Sequence, residues 1–117
     1  MQYRIYAYEG CETCRRALRL LEERGIEFEV IPVRKTPPTV AELRRAFDAV
    51  KGELRRLFNT SGQTYRRLNL KDSLATMTVA EALAMLSSNG NLVKRPLLFS
   101  PSEVLVGFQE ERWRKLS

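Results

Sequence analysis

Over its first stretch the chain changes its hydrophobic period twice. Tyr3 to Tyr8 (Y-R-I-Y-A-Y) is short, aromatic and β-branched, which predicts a strand, and Glu9-Gly10 ends it. From Glu12 to Arg24 the apolar positions Cys14, Ala17, Leu18 and Leu21 fall at helical spacing, with Gly25 placed to cap the helix. Ile26 to Ile31 then alternates Ile26, Phe28 and Val30 against Glu27 and Glu29, the pattern of a strand with one wet face. Strand, helix and strand in about thirty residues make a βαβ unit, so the two strands are expected to be parallel with a right-handed crossover.

Pro32, Pro37 and Pro38 break the chain, and the period becomes helical. Thr39 with Glu42, and Thr78 with Glu81, have the capping-box form that opens a helix. The first opens a stripe of Val40, Leu43, Phe47 and Val50, the second one of Val79, Ala82, Leu83 and Leu86. Between them come a helical turn at Leu54, Leu57 and Phe58, a turn at Asn59 to Gly62, and a short amphipathic piece around Tyr65 and Leu68. Ser88-Asn89-Gly90 closes the block. Leu97 to Phe99 and Val104 to Val106 read as a hairpin around Ser100-Pro101-Ser102, and a last helix carries Trp113 and Leu116. The expectation is an α/β chain of one domain, residues 1–117, with a helical block at about 39–89 between a βαβ half and a ββα half.

Composition narrows the chemistry. With 117 residues, 44% apolar and 29% charged, the chain has the make-up of a globular domain rather than a disordered one. Twenty Lys and Arg against fourteen Asp and Glu leave a net charge of +6, which suits an anionic partner without naming one. There is no histidine, so Ser-His-Asp and Cys-His catalysis and every His-ligated metal site are excluded. Two cysteines cannot make an all-cysteine zinc site. No apolar run reaches the roughly 20 residues of a membrane span, and charges stand where a signal peptide is apolar. A cytosolic location is expected, and there a pair of cysteines is better suited to a reversible disulfide than to a structural one.

Cys11-Glu12-Thr13-Cys14 is the strongest chemical signal. It lies where the first strand hands over to the first helix, so free backbone N–H groups and the positive end of the helix stabilise a thiolate at Cys11. Arg15 and Arg16 add positive charge there, and Glu9 and Glu12 oppose it. A bare C-x-x-C also fits two buried small residues or half a metal site. Its place in a βαβ unit favours a redox pair. Lys94-Arg95-Pro96 leads into a strand. Only about 5–6% of X–Pro bonds in folded proteins are cis, so taken alone Pro96 reads as trans and Arg95 as a solvated charge. The six glycines form no phosphate-binding pattern, and the paired arginines along the helices read as wet faces rather than a nucleic-acid surface.

Taken in order, these pieces resemble the arsenate reductase-like family, which includes ArsC-type arsenate reductases, Spx-type regulators of RNA polymerase and many uncharacterised relatives. The likeness runs over about residues 3–112: the C-x-x-C, P-P-T before a helix, F-N-T-S-G-x-x-Y-x-x-L-N-L, K-R-P-L and a final V-G-F. It is strongest to the uncharacterised branch. The resemblance implies a thioredoxin-like fold with an inserted helical block, a cis Pro96 facing the cysteine loop, and Arg95 as a site residue. It implies Cys11 as nucleophile and Cys14 as its resolving partner, with Arg95, Pro96 and the helix start at Glu12 and Thr13 meeting the substrate. Of three oxyanion-holding arginines in arsenate reductases, only Arg95 has a match, since the other two positions align with Asn59 and Gly107.

Three readings follow from the resemblance. The first is a thiol–disulfide oxidoreductase acting on a protein or small-thiol substrate. The second is an Spx-type redox-switched regulator that binds RNA polymerase, and the third an arsenate reductase. The expected electron donor is glutathione, thioredoxin or glutaredoxin. No tightly bound cofactor, metal, direct nucleic-acid contact or membrane contact is expected.

Overall fold

The computed structural model describes residues 2–116. Its strands are β1 (Tyr3–Ala7), β2 (Phe28–Pro32), β3 (Leu97–Phe99) and β4 (Val104–Val106), in one sheet of order β2-β1-β3-β4. β1 and β2 are parallel, and α1 (Glu12–Glu23) makes the crossover that parallel pairing requires. β3 runs antiparallel to both β1 and β4. Between β2 and β3 come α2 (Val40–Ala49), a 3-10 turn (Leu54–Leu57), α3 (Gln63–Arg67), α4 (Leu70–Ser73), α5 (Val79–Ser88) and a second 3-10 turn (Gly90–Leu92). The chain then finishes through β4 into α6 (Glu110–Trp113). This is a thioredoxin-like α/β arrangement with helices inserted ahead of β3.

Because successive strand residues face opposite ways, the sheet feeds two cores. Ile5, Ala7, Leu98 and Leu105 pack against Cys14, Ala17, Leu20 and Leu21 of α1 and against Trp113 and Leu116. Tyr6, Leu97, Phe99 and Val106 pack the other way, against Leu43, Ala46, Leu57, Phe58, Leu83 and Leu86. Each fully buried leucine contributes about 1.5–3 kcal/mol. Both α1 and the helical block are therefore held to the sheet by buried apolar side chains.

Both expected capping boxes form: Thr39 and Thr78 each accept the backbone N–H three residues on, and Glu42 and Glu81 each accept the cap's own N–H. Glu42 also ties α2 to β1. Tyr6 donates to it at 2.7 Å, and Arg4 lies 2.6 Å from its other oxygen. Burial, then the Glu42 partnership, pushes the Tyr6 hydroxyl up to about 12. Burial alone would raise the Glu42 carboxyl, but hydrogen bonds from Tyr6, the Thr39 backbone and Arg4 outweigh it and hold the group below its ordinary range.

Several expectations are corrected. The second strand starts at Phe28 rather than Ile26, and Val30 is 45% exposed, because β2 is an edge strand. Leu68 is 49% exposed: α3 ends at Arg67 and Asn69 takes a left-handed φ of +53°, so the chain turns and Leu70 fills the buried place. α4 starts there, where no helix is expected. Val40 is also exposed, at the first position of α2.

Candidate functional site

α1 begins directly behind the end of β1, and the cysteine loop is the joint between them. The Cys11 N–H donates to the Tyr8 carbonyl at 3.0 Å, closing a turn over Glu9 and Gly10. Gly10 packs against the Tyr8 ring, where any β-carbon would come within 2.6 Å of it. Cys11 keeps extended backbone angles and is the N-cap of α1. Its sulfur accepts the backbone N–H of Cys14 at 3.3 Å, the role usually filled by Ser, Thr, Asp or Asn.

Cys11 is half-buried, whereas Cys14 is only 1% exposed, among Ala17, Leu98 and the rest of the α1 core. Both thiols are free. Burial pushes the Cys14 thiol up to about 12, helped by its hydrogen bond to Cys11 and by the negative charge of Cys11. A backbone hydrogen bond at Tyr8 and the charge of Arg95 work in the opposite direction.

The cations expected to crowd the loop are engaged elsewhere. Arg15 donates to the Glu9 carbonyl at 2.6 Å and to Glu12 at 2.7 Å, and Arg16 lies over the Phe108 ring with Glu110 at 3.7 Å. Glu12 and Thr13 are exposed at the helix start, where their N–H groups have no partner within the helix. The Glu12 carboxyl is held below its ordinary range, first by its hydrogen bond from Arg15.

The Arg95–Pro96 peptide bond is cis. Pro96 is buried, and its carbonyl accepts the Gly107 N–H at 2.8 Å, which joins this loop to the end of β4. Arg95 is close enough to feel both thiols, yet its fork is spent on backbone. Nε donates to the Val93 carbonyl at 3.1 Å, and one terminal nitrogen donates to Gly90 at 2.9 Å and Asn91 at 3.0 Å. Only the other terminal nitrogen is left for an anion. Burial lowers the pKa of Arg95 from the usual guanidinium value, and the charges of Cys14 and Cys11 oppose that.

Neither Asn59 nor Gly107 supplies a cation. Asn59 closes its turn by accepting the Gly62 N–H at 3.1 Å. Gly107 adopts a φ of +78°, and its carbonyl accepts the Trp113 indole N–H at 3.1 Å. The Lys94 side chain lies across Gly107, its Cε 3.1 Å from where a β-carbon would stand. Sequence reasoning missed Tyr8, whose ring has the guanidinium of Arg34 at 4.5 Å and that of Arg95 at 5.8 Å. It also missed Gly90, whose carbonyl anchors Arg95. The Tyr8 contacts span more than twenty residues and leave no local pattern, while the Gly90–Arg95 contact, only five residues apart, is set by the conformation of the intervening loop. Among the described residues no group of three or more His, Cys, Asp or Glu side chains is placed to hold a metal, and no helix is long and apolar enough to cross a membrane.

The ArsC family model matches residues 6–116. The uncharacterised protein YusI of Bacillus subtilis is 41% identical over 115 residues, covering 98% of each chain. The regulatory protein MgsR of the same organism is 29% identical over 116 residues, covering 99% of this chain and 90% of its own. A crystal structure from Bacteroides fragilis, described as ArsC family related, is 40% identical with a TM-score of 0.93, covering 100% of this chain and 98% of that one.

Proposed function

This chain belongs to the ArsC family, and from that premise we propose that it is a thiol–disulfide oxidoreductase working through Cys11 and Cys14. The observation that carries the reading is the Cys11 sulfur at the helix cap, hydrogen-bonded to the Cys14 N–H, with the Cys14 thiol buried behind it. In the cycle the Cys11 thiolate attacks one sulfur of a substrate disulfide. A Cys11–substrate bond forms, the substrate S–S bond breaks, and the second substrate sulfur leaves as thiolate. Cys14 then gives up its proton and attacks the Cys11 sulfur, releasing the remaining substrate thiolate. The protein loses two electrons to the substrate, and an external thiol such as glutathione, or a thioredoxin or glutaredoxin, returns them.

The order of events is supported by charge. While Cys11 is a thiolate, its charge helps hold Cys14 protonated. Once Cys11 enters the mixed disulfide that charge is gone, and Cys14 ionises more readily at the moment it is needed. The cytoplasm, with its reduced thiol pools, suits such a cycle.

A second reading, a redox-switched regulator contacting RNA polymerase, draws on the likeness to the regulatory protein MgsR. Turnover separates the two. With a thiol donor present, the wild type is expected to reduce many equivalents of a protein or small disulfide. Mild oxidation is expected to remove two hydrogens from the wild type and from neither single Ser variant, and Cys14→Ser is expected to trap mixed disulfides. A single stoichiometric oxidation without turnover, with RNA polymerase subunits captured by the trap, would select the regulator.

A further inference from the structure

At the carboxyl ends of β1 and β2, beside the turn that carries Cys11, lies a cavity of about 520 Å³. Its wall is apolar: Ala7, Leu18, Pro32 and Val30, the last among the few large apolar side chains left exposed. Its rim is cationic. Arg34 and Lys35 face it, and neither has a carboxylate within ion-pair distance among the described residues. Arg15 also lines the cavity but is already held by Glu9 and Glu12, and the Glu9 carboxylate is the one acid in the lining.

The cavity is tied to the dithiol through Tyr8. The Arg34 guanidinium stands 4.5 Å from the centre of the Tyr8 ring, and the Tyr8 carbonyl receives the Cys11 N–H. Arg95, which feels both thiols, lies by the same ring. An apolar body and an anionic group are the two features this lining complements. Its volume lies in the range of small-molecule sites, about 300–1,000 Å³.

We propose that this cavity docks small anionic disulfides and thiols, with a carboxylate against Arg34 and Lys35 and the apolar body on Leu18 and Val30, presenting the ligand's sulfur to Cys11. The planar guanidinium of Arg34 matches a carboxylate in both shape and charge. This rests on the oxidoreductase reading and names the class of its small substrate or donor. The exchange is the one given above: Cys11 bonds to one ligand sulfur, the other leaves as thiolate, and Cys14 completes the two-electron transfer.

The test compares the rate of Cys11 with the dianionic aromatic disulfide dithiobis(nitrobenzoate) and with neutral dithiodipyridine. Arg34→Gln/Lys35→Gln is expected to slow the anionic probe about five- to tenfold, the scale of one charge-assisted contact, and the neutral probe less than about twofold. Arg44→Gln/Arg67→Gln removes the same charge from exposed positions outside the cavity and is expected to slow neither probe by more than about twofold. Equal slowing by both double variants, or of both probes, would overturn the proposal, because a long-range field or a general defect would then explain it. Binding of S-methylglutathione, which cannot exchange its sulfur, is followed by amide shifts in Cys11→Ser. Shifts at Leu18, Val30 and Arg34 would support the cavity even if disulfide turnover failed, and their absence at millimolar ligand would sink it.

Discussion

The Cys11 sulfur accepts the backbone N–H of Cys14, so the first cysteine of the pair caps the helix that buries the second. One turn of helix thus sets two thiols in opposite environments. One is half-buried with a donor aimed at it, and the other is in the core with its ionisation suppressed.

This asymmetry predicts which thiol reacts. With Cys14 raised to about 12 and 1% exposed, iodoacetamide near neutral pH is expected to label Cys11 at least about tenfold faster. Mass spectrometry of Cys11→Ser and Cys14→Ser over a pH series checks it. Faster labelling of Cys14 would reverse the assignment of nucleophile and resolving thiol.

Arsenate is expected to be a poor substrate. It approaches a thiolate as an anion and needs fixed positive partners, yet Asn59 and Gly107 are neutral and Arg95 gives most of its donors to carbonyls. Two missing charge-assisted contacts cost about 3–6 kcal/mol, or two to four powers of ten in kcat/KM. Arg15 and Arg16 do not make up the loss, being engaged with Glu12 and Glu110. Coupled assays with glutathione and glutaredoxin, and with thioredoxin, measure it. Turnover equal to that of an arsenate reductase would refute the prediction.

Gly90 is expected to tolerate no side chain. A β-carbon there would lie 1.8 Å from the Val33 carbonyl oxygen, and the clash is with backbone. Gly90→Ala is expected to cost about 3 kcal/mol or more in urea unfolding. It should also slow disulfide reduction, because the Gly90 carbonyl holds Arg95. Wild-type stability in the variant would mean that the turn shifts freely.

Glu42 makes the fold sensitive to acid. Its carboxyl sits below the ordinary value of 4.5 when folded, so its contribution is complete above that value and is lost as pH falls through the lower folded one. Glu42→Gln is expected to cost about 1 kcal/mol at pH 7, through weaker bonds to Tyr6, Thr39 and Arg4. Urea titrations at neutral and strongly acidic pH should show the gap between wild type and variant closing in acid. A gap independent of pH would show that the carboxylate charge is immaterial.

What the sequence determined by itself is whatever near neighbours along the chain decide. The strand of Tyr3 to Ala7, the two capping boxes, the hairpin at Ser100 to Ser102 and the place of Cys11 and Cys14 at a strand–helix joint all depend on residues within a few positions of one another. Periodicity and capping chemistry report such contacts directly. Tertiary structure decided the rest. Val30 reads as a core residue and is exposed, since only the strand order makes β2 an edge. Arg16 reads as charge available to the dithiol, but its long side chain reaches Phe108 and Glu110, which only the fold brings near. Arg95 folds back onto the carbonyls of Gly90, Asn91 and Val93, near in sequence but brought within reach only by the loop conformation ahead of β3, and Arg34 meets the Tyr8 ring across the β1–β2 pair. A partner chosen through space leaves no period in the sequence, so the two thiols could be found by reading and the charges around them only by folding.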